Sequence, residues 1–147
     1  MNAPIATITL ALTFLMGTHA SRQRTGHEMT ERGPRIGFID PMVHDYGAIT
    51  YGSAGRCSFR FINTGDAPLV IEAFQSSCGC LVPYFDREPV LPGDTASVGL
   101  KYDTHRAGRI NKSATLRSNA LNTPVVTLRI VGTVLPDSAS RHAPIAR

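Results

Sequence analysis

Residues 94–103, with the sequence DTASVGLKYD, alternate between apolar and polar side chains at every second position. Successive side chains of a β-strand point to opposite faces, so a period of two predicts a strand with one buried face. The apolar face carries Ala96, Val98, Leu100 and Tyr102. The polar face carries Thr95, Ser97, Lys101 and Asp103. We therefore expect a half-buried strand here.

The same alternation recurs on both sides of this strand. It is clear in residues 56–63, 110–118 and 124–134, and two shorter candidates are residues 37–40 and 82–85. Residues 68–74 are more continuously apolar, which is typical of a strand covered on both faces or placed at a sheet corner. About seven short strands without a helical period predict an all-β fold, an antiparallel sandwich rather than an α/β fold.

Turn residues separate these strands. In Asn63-Thr64-Gly65-Asp66, we expect Gly65 to adopt a positive φ, and Asn63 and Asp66 to bond to the local backbone. In Leu91-Pro92-Gly93-Asp94, Pro92 followed by Gly93 is the pair that a type II turn requires. Asn63, Gly65, Asp66, Pro92 and Gly93 are therefore predicted to be structural turn residues.

The chain has 147 residues, of which 42% are hydrophobic and 18% charged, as expected of one domain with a packed core. Residues 4–17 carry no charge and precede Thr18-His19-Ala20, a pattern typical of a cleaved export signal. An uncleaved anchor or a soluble N-terminal helix is the weaker interpretation, because the apolar run is short for a membrane span. We expect a signal peptide at residues 1–20, a flexible linker at 21–37, a sandwich domain at 38–135 and a flexible tail at 136–147. The protein is then exported to the periplasm or outside the cell, with no membrane span after cleavage.

The net charge of +4 lies mostly outside the predicted domain. Residues 38–135 contain nine basic and eight acidic residues, so the domain itself carries +1. No run of basic residues interleaved with aromatic ones, the pattern typical of single-stranded nucleic-acid binding, occurs in the sequence. The composition therefore predicts no nucleic-acid partner.

Several short segments follow one another in a recognisable order: His44-Asp45-Tyr46-Gly47, residues 59–71, Ser77-Cys78-Gly79-Cys80, Pro92-Gly93, Tyr102-Asp103-Thr104, Gly108 and Ser118-Asn119. Together they resemble the bacterial domain-of-unknown-function family numbered 1573. That family is similar to the immunoglobulin-like (Ig-like) domains of Hydin and related ASH-type, cilia-associated proteins, and it occurs in exported proteins, especially of Bacteroidetes. The resemblance covers residues 38–134 and implies an Ig-like β-sandwich with no established activity. The chain departs from the family at Tyr46, where Phe is usual, at Cys57, and at Leu81, where Thr commonly follows the second cysteine.

Cys78-Gly79-Cys80 is the one cluster that suggests chemistry. Two convergent thiolates, with Cys57 or a histidine, suit Cu(I) or Zn(II), and the same pair can cycle between dithiol and disulfide. Alternatively, one or both are buried small hydrophobic residues, or one pairs with Cys57 in an oxidising compartment. We favour the structural alternative. Cys78 and Cys80 are kept as a candidate metal or redox site, and Cys57 as a candidate disulfide partner. No cofactor is predicted.

Two histidines lie next to or near an aspartate. His44 precedes Asp45, and His105 follows Asp103 by two residues, but neither pair accompanies a nucleophile in a recognisable motif. We therefore predict no catalytic residues and no enzyme activity. Two hypotheses follow: a non-enzymatic exported module that binds a protein or a surface glycan, and, as the alternative, a periplasmic cysteine site for copper or zinc binding or thiol exchange.

Overall fold

The computed structural model describes residues 31–137, so the predicted signal peptide and most of the predicted linker and tail lie outside the described residues. Its strands are β1 (Ile36–Phe38), β2 (Val43–Ile49), β3 (Gly55–Asn63), β4 (Ile71–Ser76), β5 (Leu81–Phe85), β6 (Thr95–Tyr102), β7 (Gly108–Ser118) and β8 (Val125–Val134). No helix with the length and hydropathy to span a membrane occurs between residues 31 and 137.

The strands form two four-stranded sheets packed face to face. Sheet A has the order β1-β3-β6-β5, and sheet B has the order β2-β8-β7-β4. All neighbouring strands are antiparallel except β2 and β8, which are parallel. The all-β sandwich predicted from the alternation is confirmed, with eight strands instead of about seven. The additional strand is β2, whose inward side chains include His44 and Tyr46 rather than an aliphatic series.

The core contains the apolar side chains that the alternation assigns to the inner faces. Phe59 and Phe61 of β3 are each 1% exposed, and Leu100 of β6 is fully buried. Sheet B contributes Leu116 and Leu128, both fully buried. Burying a side chain of this size contributes about 1.5–3 kcal/mol, so these inner faces hold the two sheets together.

The apolar segment 68–74 is not one continuous strand. Leu69 forms an isolated bridge with Val90, and the chain then joins β7 as β4. Glu72 and Gln75 of β4 are exposed, so this strand is not covered on both faces. The segment instead changes its pairing partner, as a strand at a sheet corner does.

Asn63 organises one end of sheet A, which we call the closed end. Its side chain is fully buried. Nδ2 donates to the carbonyls of Ala67 (2.8 Å) and Val90 (2.9 Å), and Oδ1 accepts from the backbone N–H of Gly65 (2.9 Å) and Arg35 (3.4 Å). A buried polar group is stable only when it is bonded in this way. Asn63 therefore connects the turn that follows β3, the segment before β6 and the residues preceding β1.

The two predicted turns differ in the role of their glycines. Gly93 has a φ of +84°, and the N–H of Asp94 donates to the carbonyl of Leu91, so the predicted type II turn is confirmed. The expected positive φ of Gly65 is wrong, because Gly65 does not belong to the glycines with positive φ. A Cβ at Gly65 would instead overlap the carbonyl oxygen of Gly33. Glycine is needed there for close backbone approach.

Candidate functional site

Cys78 and Cys80 are joined by a disulfide, with an S–S distance of 2.02 Å, in the turn between β4 and β5. Cys57 is the buried free thiol, so the alternative in which it pairs with one of the other cysteines is not realised. Cys57 lies opposite Leu100 on β6, and β6 separates it from β5. Two strand spacings are about 10 Å, beyond the Cα–Cα separation of about 7 Å that a disulfide can bridge.

The backbone around the disulfide is held by hydrogen bonds of its own. Ser76 Oγ donates to the carbonyl of Cys78 (2.8 Å), and the N–H of Ser77 donates to the carbonyl of Ser113 on β7 (2.9 Å). On the other side, the N–H of Asp103 donates to the carbonyl of Cys80 (2.9 Å). The turn is thereby fixed to both sheets.

A cleft of about 550 Å³ lies beside this turn, at the end of sheet A opposite the closed end. We call this the open end. The cleft is lined by the loop before β3, the start of β3, the disulfide turn, β5 and the end of β6, through residues 52–56, Gly79, Cys80, Val82 and residues 101–105.

Two cations face each other across the floor of the cleft. Arg56 of β3 is directly opposite Lys101 of β6, and both side chains are exposed. Neither forms an ion pair with any residue in the described part of the chain. Arg60, on the same face of β3, differs: it forms an ion pair with Asp40 at 2.8 Å. The Arg60 guanidinium and backbone N–H hold the pKa of Asp40 below its ordinary value.

Apolar side chains continue the cleft toward the edge of sheet A. Val82 of β5 is paired with Lys101 and is 56% exposed. Tyr84, 47% exposed, lies over Gly99 of β6, where a Cβ would overlap the tyrosine ring. The outer face of sheet A thus changes from apolar on β5 to cationic on β6 and β3.

The Asp103–His105 pair lies at the mouth of the cleft. Asp103 Oδ1 accepts from the N–H of His105 (3.1 Å) and lies 3.2 Å from His105 Nδ1. These bonds from His105 lower the pKa of Asp103. Ser53 Oγ lines the same cleft but is buried and has no hydrogen-bond partner among residues 31–137, so it is not bonded to His105. The three side chains therefore do not form a connected catalytic triad in this structure.

The other histidine is separated from its aspartate. His44 packs edge-on against Tyr46, with ring centroids 4.6 Å apart, while Asp45 is exposed and accepts from the N–H of Gly47. Adjacent residues of a strand point to opposite faces, which explains this separation.

The free thiol of Cys57 points into the core. Burial raises the pKa of this thiol, and a hydrogen bond with Tyr46 partly opposes that effect. Burial likewise raises the pKa of the Tyr46 hydroxyl, which donates to the carbonyl of Gly55 (3.0 Å). A thiol in such surroundings stays protonated and unreactive.

The described residues include no group of three or more His, Cys, Asp or Glu side chains placed to hold a metal ion. The sulfurs of Cys78 and Cys80 are bonded to each other, whereas a cysteine ligates a metal ion as its free thiolate. The geometry of the cysteine pair is thus that of an oxidised disulfide at the edge of a cleft.

Sequence reasoning identifies the two cysteines but misses the cations beside them. Alternation places Lys101 on an outer face, yet its position opposite Arg56 depends on the pairing of two strands separated by 31 residues. Alternation also assigns Arg56 to an outer face, but only the register of β3 and β6 places Arg56 and Lys101 opposite each other.

The sequence model of a family described as "Protein of unknown function (DUF1573)" matches residues 39–134. No curated protein matches the chain. Three solved structures are similar in fold: a protein of unknown function from Porphyromonas gingivalis W83, the ASH/PapD-like domain 7 of human CEP192, and the VesB protease of Vibrio cholerae.

The Porphyromonas protein superposes with a TM-score of 0.60 at 15% identity, over 69% of this chain and 47% of its own. The CEP192 domain gives a TM-score of 0.55 at 10% identity, over 82% of this chain and 99% of its own. VesB gives 0.54 at 15% identity, over 67% of this chain and 32% of its own. The chain thus spans about half of the first protein and a third of the protease. At these identities the similarity shows an Ig-like, PapD-like β-sandwich and nothing of activity.

Proposed function

The chain belongs to the DUF1573 family, and we propose that it is an exported binding module that holds an acidic segment of a partner polypeptide at the open end of sheet A. The observation that carries this proposal is the directly opposed pair of cations, Arg56 and Lys101, in the cleft. The uncharged run in residues 4–17 supports export.

Two like charges directly opposite each other on neighbouring strands destabilise a sheet. No carboxylate of the described residues forms an ion pair with either of them, whereas Asp40 neutralises Arg60 on the same face. A carboxylate placed between Arg56 and Lys101 would remove the repulsion and gain two charge-assisted contacts. The unpaired cations therefore match an anionic ligand.

The apolar side chains beside the cations favour a polypeptide as the source of that carboxylate. Val82, Lys101 and Arg56 form one row across β5, β6 and β3. The row covers about 10 Å, which about three residues of extended chain span. A segment that crosses sheet A can thus place an apolar side chain over Val82 and a carboxylate between the two cations.

A direct binding measurement tests this proposal. The probe is a fluorescent peptide of alternating Glu and Val residues, with the Gln/Val peptide as its uncharged counterpart. We expect the full chain to bind the Glu peptide at least tenfold more tightly, and added salt to weaken that binding because exposed charges are screened.

Charge reversal localises the site. Arg56→Glu/Lys101→Glu should weaken binding of the Glu peptide at least tenfold. Arg109→Glu/Arg117→Glu changes the net charge by the same amount on exposed residues of β7 and should leave the affinity unchanged. Equal loss in both double variants, or equal binding of the Gln peptide, contradicts the proposal. So does binding of a sulfated polysaccharide in the absence of any peptide binding.

A further inference from the structure

We propose that the Cys78–Cys80 disulfide is an exchangeable redox pair that oxidises a dithiol of a partner polypeptide, with Cys78 as the sulfur that is attacked. The inference rests on the disulfide and its surroundings and does not require the acidic-segment proposal. Three features carry it: the small loop that the disulfide closes, the unequal exposure of its two sulfur-bearing residues, and the cations beside Cys80.

The disulfide is not what holds the sandwich together. It joins residues two positions apart, so it connects neither two strands nor two sheets. Closing so short a loop constrains the unfolded chain much less than closing a long one. The turn keeps its own bonds to β7 and β6 through Ser77 and Asp103. The fold can therefore hold the same turn with the pair oxidised or reduced.

The two cysteines differ in access. Cys80 is 9% exposed and belongs to the buried core, whereas Cys78 is only partly buried at its edge. Gly79 between them is exposed, and no atom of the described residues other than its two chain neighbours lies within 4 Å of where its Cβ would be. An incoming thiolate therefore reaches the Cys78 side of the bond more easily, and exchange depends on this access.

The charges of the cleft favour Cys80 as the leaving group. Cys80 lines the same cleft as Arg56 and Lys101, whereas the similarly buried Cys57 does not line it. Positive charge nearby stabilises a thiolate, and a better-stabilised thiolate leaves faster. The one carboxylate in the cleft, that of Asp103, is paired with His105 and Arg106.

The exchange balances in two steps. A thiolate of the partner attacks Cys78 Sγ, the bond between the two sulfurs breaks, and its electron pair leaves on Cys80 Sγ. The partner's second thiolate then attacks the partner sulfur that is bonded to Cys78, which releases Cys78 as a thiolate. The partner's dithiol is oxidised to a disulfide, and the Cys78–Cys80 pair is reduced by the same two electrons and takes up the two protons.

Cys57 serves as an internal control. It is buried in the core, and burial raises the pKa of its thiol. Reagents that reach the redox pair in the folded protein should therefore leave Cys57 unmodified.

The test uses the full oxidised chain and dithiothreitol as the probe dithiol. We expect one mole of oxidised dithiothreitol per mole of protein under native conditions, with an unchanged circular dichroism spectrum. Alkylation followed by mass spectrometry should place the two new thiols at Cys78 and Cys80. A disulfide that is reduced only in denaturant, or a fold that is lost on reduction, overturns the proposal.

Single variants test the direction of attack. The free Cys78 of Cys80→Ser should react with oxidised glutathione at least tenfold faster than the free Cys80 of Cys78→Ser. Equal rates, or a faster Cys80, overturn the assignment of Cys78. Should either variant fail to fold, the same comparison is made on the reduced wild-type protein, where iodoacetamide should modify Cys78 at least tenfold faster than Cys80.

Discussion

The two ends of sheet A are built from the same strands, β3 and β6, yet they treat their polar groups in opposite ways. At the closed end, the buried side chain of Asn63 makes four hydrogen bonds, and nearby Arg60 has Asp40 as its ion-pair partner. At the open end, Arg56 and Lys101 lie opposite each other, and no carboxylate of residues 31–137 forms an ion pair with either of them.

The two ends also differ in the space beside their glycines and in the hydrogen bonding of their uncharged polar groups. The backbone of Gly33 approaches Gly65 so closely that no Cβ fits, whereas Gly79 has free space beside it. Ser53 Oγ at the open end is buried without a hydrogen-bond partner among residues 31–137. The polar groups at the closed end are thus bonded within the chain, whereas Ser53 Oγ, Arg56 and Lys101 at the open end lack such partners among residues 31–137. Unsatisfied groups in a folded protein are expected at functional sites.

The largest effect should come from Asn63→Ala at the closed end. The substitution leaves the carbonyls of Ala67 and Val90 and the N–H of Gly65 without their bonds to this side chain. We expect a loss of about 3–4 kcal/mol in the free energy of unfolding, measured with urea. The matched control is Asn111→Ala, which removes one exposed bond to Arg129 and should cost less than about 0.5 kcal/mol. Equal costs would show that Asn63 does not organise the closed end.

Alanine at the two glycines compares the ends directly. Gly65→Ala forces a Cβ against the backbone of residues 33–35 and should cost about 1–3 kcal/mol, the usual cost of overpacking. Gly79→Ala enters open space and should stay within about 0.5 kcal/mol of the wild type. Thermal unfolding of both variants checks this pair. An unchanged stability of Gly65→Ala, or a large loss of stability in Gly79→Ala, would contradict the assignment of the closed and the open end.

Removing one of the opposed cations should stabilise the protein. Lys101→Gln keeps a flexible polar side chain but removes the charge that repels Arg56, so we expect a gain of about 0.2–1 kcal/mol in low salt. The gain should disappear at high salt, because exposed charges are screened there. The control is Lys112→Gln, which lies opposite Ile130 and should show no such gain. A loss of stability in Lys101→Gln would mean that Lys101 has a stabilising partner.

The smallest effect concerns Asp40, whose side chain is partly exposed. Its pKa in the folded protein lies below the ordinary value of 3.8, mainly because of the hydrogen bond from the Arg60 side chain. A lowered folded-state pKa adds stability above the unfolded value, and that stability is lost as the pH falls through the folded value. The difference in Tm between wild type and Asp40→Asn should therefore shrink below about pH 4. Arg60→Gln should show the same profile, and a difference independent of pH would contradict the pairing.

Sequence reasoning recovers the strands whose alternation is carried by aliphatic and aromatic side chains. β3, β6, β7 and β8 are of this kind, and their predicted inner faces are buried. It misses β2, where Gly47 has a φ of +61° and the register with β8 shifts between Asp45 and Ala48. Its parallel pairing joins residues more than 80 positions apart, and no local pattern reports such a pairing.

The candidate site is predictable only in part for the same reason. Cys78-Gly79-Cys80 is visible because its three residues are adjacent, although the sequence leaves open whether Cys57 takes part. Gly65 is recognisable as a turn residue, but the approach of residues 33–35 that makes it necessary is a tertiary contact. The opposition of Arg56 and Lys101 follows from the register of β3 and β6, which alternation alone does not define.

The most direct test of the central claim is chemical-shift mapping by NMR of the full chain with the Glu/Val peptide. The account predicts shift changes at the open end, in residues 52–56, 79–82 and 99–105, that saturate with the peptide. The closed end, at residues 63–66 and 91–94, should remain unchanged. Changes confined to sheet B or to the closed end, or an absence of any change at saturating peptide, would contradict the assignment of the open end as the binding site.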